Sequence, residues 1–233
     1  MNAIITGASK GIGKAIAKML ASKGVNLALC ARGETELIDL MKEIENQYPE
    51  PDIYISMVDV SKKEEILRFV TEVNDHLGQV DILVNNAGVF IPGEICIEDD
   101  GLIEKMIETN LYSAYYLTRA IVGKMIEKRK GHIFNMCSVA SLFAYPNGGS
   151  YSISKFALYG FNKVLREELK DKGIKVTAIL PGATWSDSWA GVELPHERLM
   201  EADDIAKAVW AAIDTGPSAV IEEILMRPQQ GDL

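Results

Sequence analysis

Short apolar runs alternate with amphipathic stretches along the whole chain, and this alternation limits the fold more than any other feature. The runs NAIIT, VNLALCA, DIYISMVDV, VDILVNNAG, GHIFNMCS, IKVTAILPG and AVIEEILMRP read as strands. Helical patterns separate them. The first, GKAIAKMLASKG, stops at Gly24, and ETELIDLMKEIENQY is ended by PEP. In SKKEEILRFVTEVNDHLG, Ser61 and Glu64 have capping-box spacing. A long helix is predicted from about Gly101 to Lys130, another over SYSISKFALYGFNKVLREELKDKG with Ser150 as N-cap, and a short one around Asp203 to Asp214. Strands that are apolar on both faces belong inside a parallel sheet, and each intervening helix supplies the crossover. The prediction is therefore an α/β fold with a doubly wound parallel sheet of about seven strands and helices on both faces. The 233 residues suit one such domain, and no repeat or linker divides residues 1–233.

In sheets of this kind ligands bind beyond the carboxyl ends of the strands. After the first strand comes TGASKGIG, with Gly7, Gly11 and Gly13 in G-x-x-x-G-x-G spacing and Ser9, Lys10 and Ile12 between them. Glycines there let the backbone turn tightly and approach a pyrophosphate, which the next helix receives on its N-terminus. A glycine loop can also be a plain strand-to-helix turn; its place at the first strand of an alternating chain favours a dinucleotide. The second strand ends in LCARGE, where a carboxylate for a free ribose 2′-hydroxyl would stand. Cys30 and Ala31 occupy that place instead, followed by Arg32. Arg32 and Lys10 suit a 2′-phosphate, so NADP(H) is favoured over NAD(H). Arg32 as a solvated loop residue, neutralised by Glu34, is the alternative.

Charge and composition remove other classes. A net charge of -9 opposes nucleic acid as the main partner. No apolar run approaches the roughly 20 residues of a membrane helix, and the opening MNAIITGAS has no basic n-region. Cys30, Cys96 and Cys137 are scattered, with neither disulfide nor metal-ligand spacing. They read as core or near-core residues of a cytoplasmic protein with no metal site.

Further residues fall at strand ends in a fixed order: Asp59 in MVDV, Asn85 to Gly88 in NNAG, Ser138 in NMCS, and Pro181 with Gly182 in PG. Asn110 lies in ETNLYSAYYLT, and Tyr151 with Lys155 in YSISK. Together with TGASKGIG this ordered set resembles the short-chain dehydrogenase/reductase family, from the first strand to the last. The resemblance implies a Rossmann-type sheet and a pyrophosphate on the glycine loop. It places Asp59 and Val60 at the adenine, and Asn85, Ala87 and Gly88 along the adenosine. Pro181, Gly182, Thr184 and Ser186 fall at the nicotinamide; Ser186 stands where the family usually has threonine. The implied catalytic set is Asn110, Ser138, Tyr151 and Lys155. The ending IEEILMRPQQGDL and the segment around Ser138 resemble sepiapterin reductases, and the overall pattern equally resembles 3-oxoacyl-carrier-protein reductases. Both groups reduce a ketone with NADPH.

That chemistry needs these residue types. Hydride addition to a carbonyl requires a proton for the nascent alkoxide, and tyrosine, with an ordinary pKa near 10, is a competent acid. Lys155, one turn after Tyr151, shares its helical face and is expected to lower the phenol's pKa. Ser138 would hold the substrate oxygen, and Asn110, by the resemblance, a water leading from the lysine to solvent. Each has a purely structural reading as well: Ser138 capping a turn, Asn110 satisfying backbone in a kinked helix, Tyr151 and Lys155 pairing at the surface. A non-catalytic dinucleotide sensor on the same fold would be expected to have lost one of the four, and none is lost.

The segment from about 183 to 201 is long and irregular and reads as a substrate loop. Trp185 and Trp189 either wall a substrate or pack the loop, with Phe90, Phe143 and Tyr145 adding apolar surface from neighbouring loops. His196 reads as a solvated loop residue. Lys124, Lys128, Arg129 and Lys130 gather at a helix end, which could dock an acyl carrier protein but is favoured as a dipole complement. The resemblance also implies self-association, as a homodimer or homotetramer, through the two long helices.

Overall fold

The computed structural model describes residues 1–186 and 191–231. The strands are β1 Asn2–Thr6, β2 Asn26–Ala31, β3 Ile53–Met57, β4 Ile82–Asn85, β5 Gly131–Met136, β6 Ile174–Pro181 and β7 Glu223–Met226. They form one parallel sheet in the order β3-β2-β1-β4-β5-β6-β7. The α-helices are α1 Gly11–Ala21, α2 Glu34–Gln47, α3 Lys63–His76, α4 Leu102–Ile107, α5 Ser113–Lys128, α6 Gly149–Leu169 and α7 Ala202–Ile213. This is the doubly wound α/β architecture expected from the alternation.

Strand side chains alternate between two core layers, as a pleat of period two requires. Ala3, Ile5, Leu27, Leu29, Val84 and Phe134 face α1, α2 and α7. Ile4, Ala28, Cys30, Leu83 and Ile133 face α3, α5 and α6. The inner strands are covered on both faces and read as apolar throughout, whereas the edge strands β3 and β7 are partly exposed. Strand order reverses between β1 and its neighbours β2 and β4. The crevice at that reversal carries the glycine loop on one wall and the Asn86–Gly88 turn on the other.

Four local expectations are corrected. The long helix from about Gly101 to Lys130 is interrupted by a π turn over Glu108–Tyr112, where Ser113 Oγ donates back to the Thr109 carbonyl at 2.5 Å. The Ser61/Glu64 capping box does not form, because α3 starts at Lys63 and the Ser61 hydroxyl donates instead to Asp59 Oδ1 at 2.8 Å. Ser150 is not the N-cap of α6; Gly148 holds that position, and Ser150 lies inside the first turn. Cys30 and Cys137 are buried, but Cys96 is exposed in the connection between β4 and α4, which no core layer reaches.

Candidate active site

The glycine loop is shaped by what cannot fit in it. Gly7 has φ +62°, and a Cβ there would stand 2.9 Å from Ala87 Cα across the crevice. A Cβ at Gly13 would collide with the Gly7 carbonyl and the Asn86 amide. The loop is therefore pressed against the β4 turn as tightly as backbone allows. Helix α1 follows with no side-chain cap from Lys10 and no acidic residue in its first turn, so its positive end faces the crevice. A pyrophosphate matches that donor set and the positive end of the helix dipole. Ser186 packs beside Gly11, its Cβ 3.7 Å from the place a Gly11 Cβ would take.

At the end of β2, Arg32 is exposed, and Lys10 pairs with Glu36 at 3.6 Å near the surface. Asp59 lies opposite. Burial raises its pKa, but the Ser61 hydroxyl and amide, with the charges of Lys62 and Arg32, outweigh burial and hold it below the usual carboxylate range. Val60 is buried beside it. At the end of β4, successive residues part company. The Asn85 side chain turns into the interior, donating to Asn135 Oδ1 at 2.9 Å and Thr118 Oγ1 at 3.1 Å. Asn86 turns to the glycine loop and donates to the Thr6 and Gly7 carbonyls at 2.9 and 3.0 Å. The Thr6 hydroxyl in turn accepts the Asn86 and Ala87 amides at 3.0 and 2.9 Å. Thr6 and Asn86 were not singled out from sequence; the doubled Asn of NNAG was the available signal.

The catalytic candidates converge where β5 hands over to α6. Ser138 is buried and extended; its Oγ accepts the Ala140 amide at 3.1 Å and so caps the short 3₁₀ turn Val139–Ser141. A hydroxyl that accepts one bond still has its proton to donate. Lys155 is 4% exposed, and its Nζ donates to the Met136 carbonyl at 2.7 Å and lies 5.7 Å from the centre of the Tyr151 ring. The surface-pair reading of Tyr151 and Lys155 is thereby removed. Asn110, in the π turn, is 1% exposed. Its side chain accepts the Val89 amide at 2.7 Å and donates to the Val89 carbonyl at 3.0 Å and to Ser154 Oγ at 2.9 Å. Gly88 is the spacer between them, since a Cβ there would sit 3.2 Å from Asn110 Oδ1 and 3.4 Å from Lys155 Nζ. Ser138 and Asn110 thus have the structural roles open to them and also stand at the site.

Burial sets the proton affinities. It pushes the Tyr151 phenol up to about 12, with the hydrogen bond to Ser138 pulling the other way. It pushes Lys155 down to about 8, opposed by Cys137. The expected lowering of Tyr151 by Lys155 is not found, because the ammonium is aimed at the Met136 carbonyl and burial dominates the phenol. Tyr151 therefore keeps its proton at neutral pH, the form an acid needs.

On the substrate side, Phe90 meets the Tyr151 ring edge-on at 4.8 Å. Phe143 is exposed, with the Arg227 guanidinium 5.4 Å from its ring centre. Tyr145 lines an apolar cavity of about 500 Å³ with Ile95, Ser152, Ile153 and Phe156, which neither Ser138 nor Tyr151 lines. Gly182 donates to the Met226 carbonyl at 2.8 Å, continuing past Pro181 at the end of β6. Thr184 is buried and donates to the Gly182 carbonyl at 2.9 Å. Trp185 packs the loop on itself: its Nε1 donates to the His196 carbonyl at 2.8 Å and its ring stacks on His196. Trp189 lies outside the described residues. Among the described residues, no cluster of three His, Cys, Asp or Glu could hold a metal, and no helix is long and apolar enough to cross a membrane.

Fold and site define a class, an oxidoreductase built on a dinucleotide-binding sheet. Comparison with known proteins narrows it: the family model described as short chain dehydrogenase matches residues 1–195, and the chain belongs to that family. It is similar to a protein of Staphylococcus saprophyticus named as an uncharacterized oxidoreductase, 32% identical over 226 residues, covering 97% of this chain and 96% of that one. Among solved structures it is similar to an alcohol dehydrogenase from the archaeon Thermococcus sibiricus complexed with 5-hydroxy-NADP. That likeness has a TM-score of 0.91 at 29% identity, over 100% of this chain and 98% of the other. A metagenomic short-chain oxidoreductase in complex with NADP gives a TM-score of 0.85 at 32% identity, over 98% and 97%.

Proposed function

We propose that this oxidoreductase uses NADPH to reduce a ketone to a secondary alcohol, with Tyr151 as the general acid. The observation that carries the reading is the buried Lys155, its Nζ 5.7 Å from the centre of the Tyr151 ring, where β5 runs on into the buried Ser138. NADPH, when bound, supplies the hydride. The chain's residues do the rest. The positive end of α1 and the glycine loop hold the pyrophosphate, and Arg32 with Lys10 receives the 2′-phosphate. Asp59, Val60, Ala87 and Gly88 flank the adenosine, and Pro181, Gly182, Thr184 and Ser186 the nicotinamide end. Ser138 donates to the substrate oxygen. Tyr151 gives its proton to that oxygen as negative charge develops there, with the buried Lys155 ammonium 5.7 Å from its ring as the neighbouring cation. Asn110 ties the loop after β4 at Val89 to α6 at Ser154, beside Tyr151 and Lys155.

A pteridine ketone such as sepiapterin and a 3-oxoacyl thioester are the substrates to test, because the chain resembles both kinds of reductase. The likeness to an alcohol dehydrogenase adds secondary alcohols in the oxidising direction. The protein acts in the cytoplasm as a homo-oligomer. Supporting assembly, Ile153, Phe156 and Val164 form an apolar stripe on the outer face of α6, with Tyr112 and Tyr115 exposed nearby. Light scattering of the purified chain reads the oligomer number. For the reaction, Tyr151→Phe should abolish reduction of whichever carbonyl the native chain accepts; full retention would overturn the mechanism. A kcat/KM higher with NADH than with NADPH would overturn the cofactor choice.

A further inference from the structure

Tyr151 stands in the first turn of α6, yet that turn has no cap of its own. Gly148 precedes it without a side chain to offer, and no acidic residue falls in the turn. Leading amides left unclaimed weaken a helix start. The partner comes from 52 residues away: the Ser150 amide donates to Glu98 Oε2 at 3.4 Å, and the Ser150 hydroxyl donates to Glu98 Oε1. Ser150 is 2% exposed and Glu98 half-buried, so the contact is shielded on the Ser150 side. The surrounding backbone is docked as well. Gly93 and Gly148 form a parallel bridge, and the Gly93 amide donates to the Asn147 carbonyl at 3.0 Å. A Cβ on Gly149 would collide with the Gly93 carbonyl and stand 3.0 Å from Glu98 Oε2. Glu98 itself is fixed by its amide, which donates to the Glu94 carbonyl at 2.9 Å.

On its other side Tyr151 is held through Ser154, whose hydroxyl donates to the Tyr151 carbonyl at 2.7 Å and accepts from Asn110. Tyr151 is therefore clamped between two chain segments, one through Ser150 and one through Ser154. We propose that Glu98 is a positioning residue: as the remote cap of α6, it sets where the Tyr151 hydroxyl sits relative to Ser138. The proposal rests on Tyr151 being the acid. A carboxylate suits the place, because it accepts from two donors at once and complements the positive helix end. Glu98 is not among the residues assigned to the substrate oxygen or the dinucleotide, so its removal should disturb turnover and leave cofactor binding intact.

The test uses the full chain with NADPH and, as carbonyl probes, sepiapterin and an acetoacetyl thioester. Glu98→Ala should lower kcat roughly 10- to 100-fold, the scale of a displacement near 1 Å at a reacting group. The NADPH Kd, read by fluorescence titration, should stay within about twofold, and carbonyl KM should change far less than kcat. Glu98→Gln keeps an oxygen for Ser150 and should recover most of the lost kcat. Amide exchange at Ser150 and Tyr151 should rise in Glu98→Ala alone; this reads the clamp whether or not either probe is reduced. Unchanged exchange together with a kcat within twofold of native would overturn the proposal. So would a Glu98→Gln variant as impaired as Glu98→Ala with NADPH binding lost in both, which would mean general collapse. Tyr151→Phe, run in parallel, separates the two readings. If it still reduces the probe fully, the acid assignment fails and Glu98 positioning with it. If it is dead while Glu98→Ala is fully active, only the positioning proposal fails.

Discussion

Two helix starts meet the same crevice and are treated in opposite ways. Helix α1 starts without a side-chain cap from Lys10 and without an acid in its first turn, and glycines clear the space in front of it. Helix α6 has its first turn filled by Glu98, a carboxylate brought from the connection between β4 and α4. On the proposed reading, one positive helix end is kept open for the pyrophosphate of a cofactor that comes and goes. The other is closed by an anion the protein keeps. The difference divides labour: the open start binds, and the closed start holds a side chain still.

That contrast can be broken at several points. The largest effect is expected on the closed side, where Tyr151→Phe should lower kcat by about 10²- to 10⁴-fold while NADPH binding persists, checked by steady-state turnover and titration. Ser138→Ala should lower kcat about 10²-fold and also loosen the 3₁₀ turn it caps. On the open side, Arg32→Ala should weaken NADPH binding by about 10-fold and leave NADH nearly unchanged, since a charge-assisted bond to phosphate contributes about 1.5 kcal/mol or more. Equal losses for both nucleotides would move the 2′-phosphate away from Arg32.

The smallest effect lies outside both helix starts and serves as their control. His132 is buried in β5, its Nε2 2.8 Å from Thr177 Oγ1 and its ring stacked on Phe134. Burial, with the nearby Lys175 charge, pushes its pKa from 6.5 down to about 3. The unfolded imidazole takes up a proton below about 6.5, whereas the folded one refuses it until about 3. Its contribution to stability is therefore complete above pH 6.5 and lost as pH falls, by up to about 1.4 kcal/mol per unit. His132→Gln should flatten that acid slope in denaturant melts and leave turnover near neutral pH unaltered.

The inner strands were legible because burial on both faces writes an apolar run into each. The glycine loop was legible because only glycine satisfies its backbone and its closeness to Ala87. Asn85 and Asn86 were not separable, since a strand sends successive side chains to opposite faces and the chain carries no mark of which is which. The Ser61 box failed for another reason: α3 starts at Lys63 with Lys62 at the cap position, one residue past Ser61, whose hydroxyl turns to Asp59. The π turn at Asn110 left no trace in the helical periodicity, and the partners of the Asn110 side chain, the Val89 amide and carbonyl, lie 21 residues upstream. Glu98 was invisible for the same reason. Its partner lies 52 residues downstream, and no local pattern connects an acidic loop residue to the start of a distant helix.

The strand order has a consequence for how the chain is made. With the sequence β3-β2-β1-β4-β5-β6-β7, β2 and β3 add in turn to one edge of β1, and β4 to β7 add in turn to the other. During synthesis from the amino end, each new strand finds an open edge waiting, and none must be threaded between strands already paired. Glu98 leaves the ribosome before α6 does. The helix carrying Tyr151 thus emerges next to the group that will hold it.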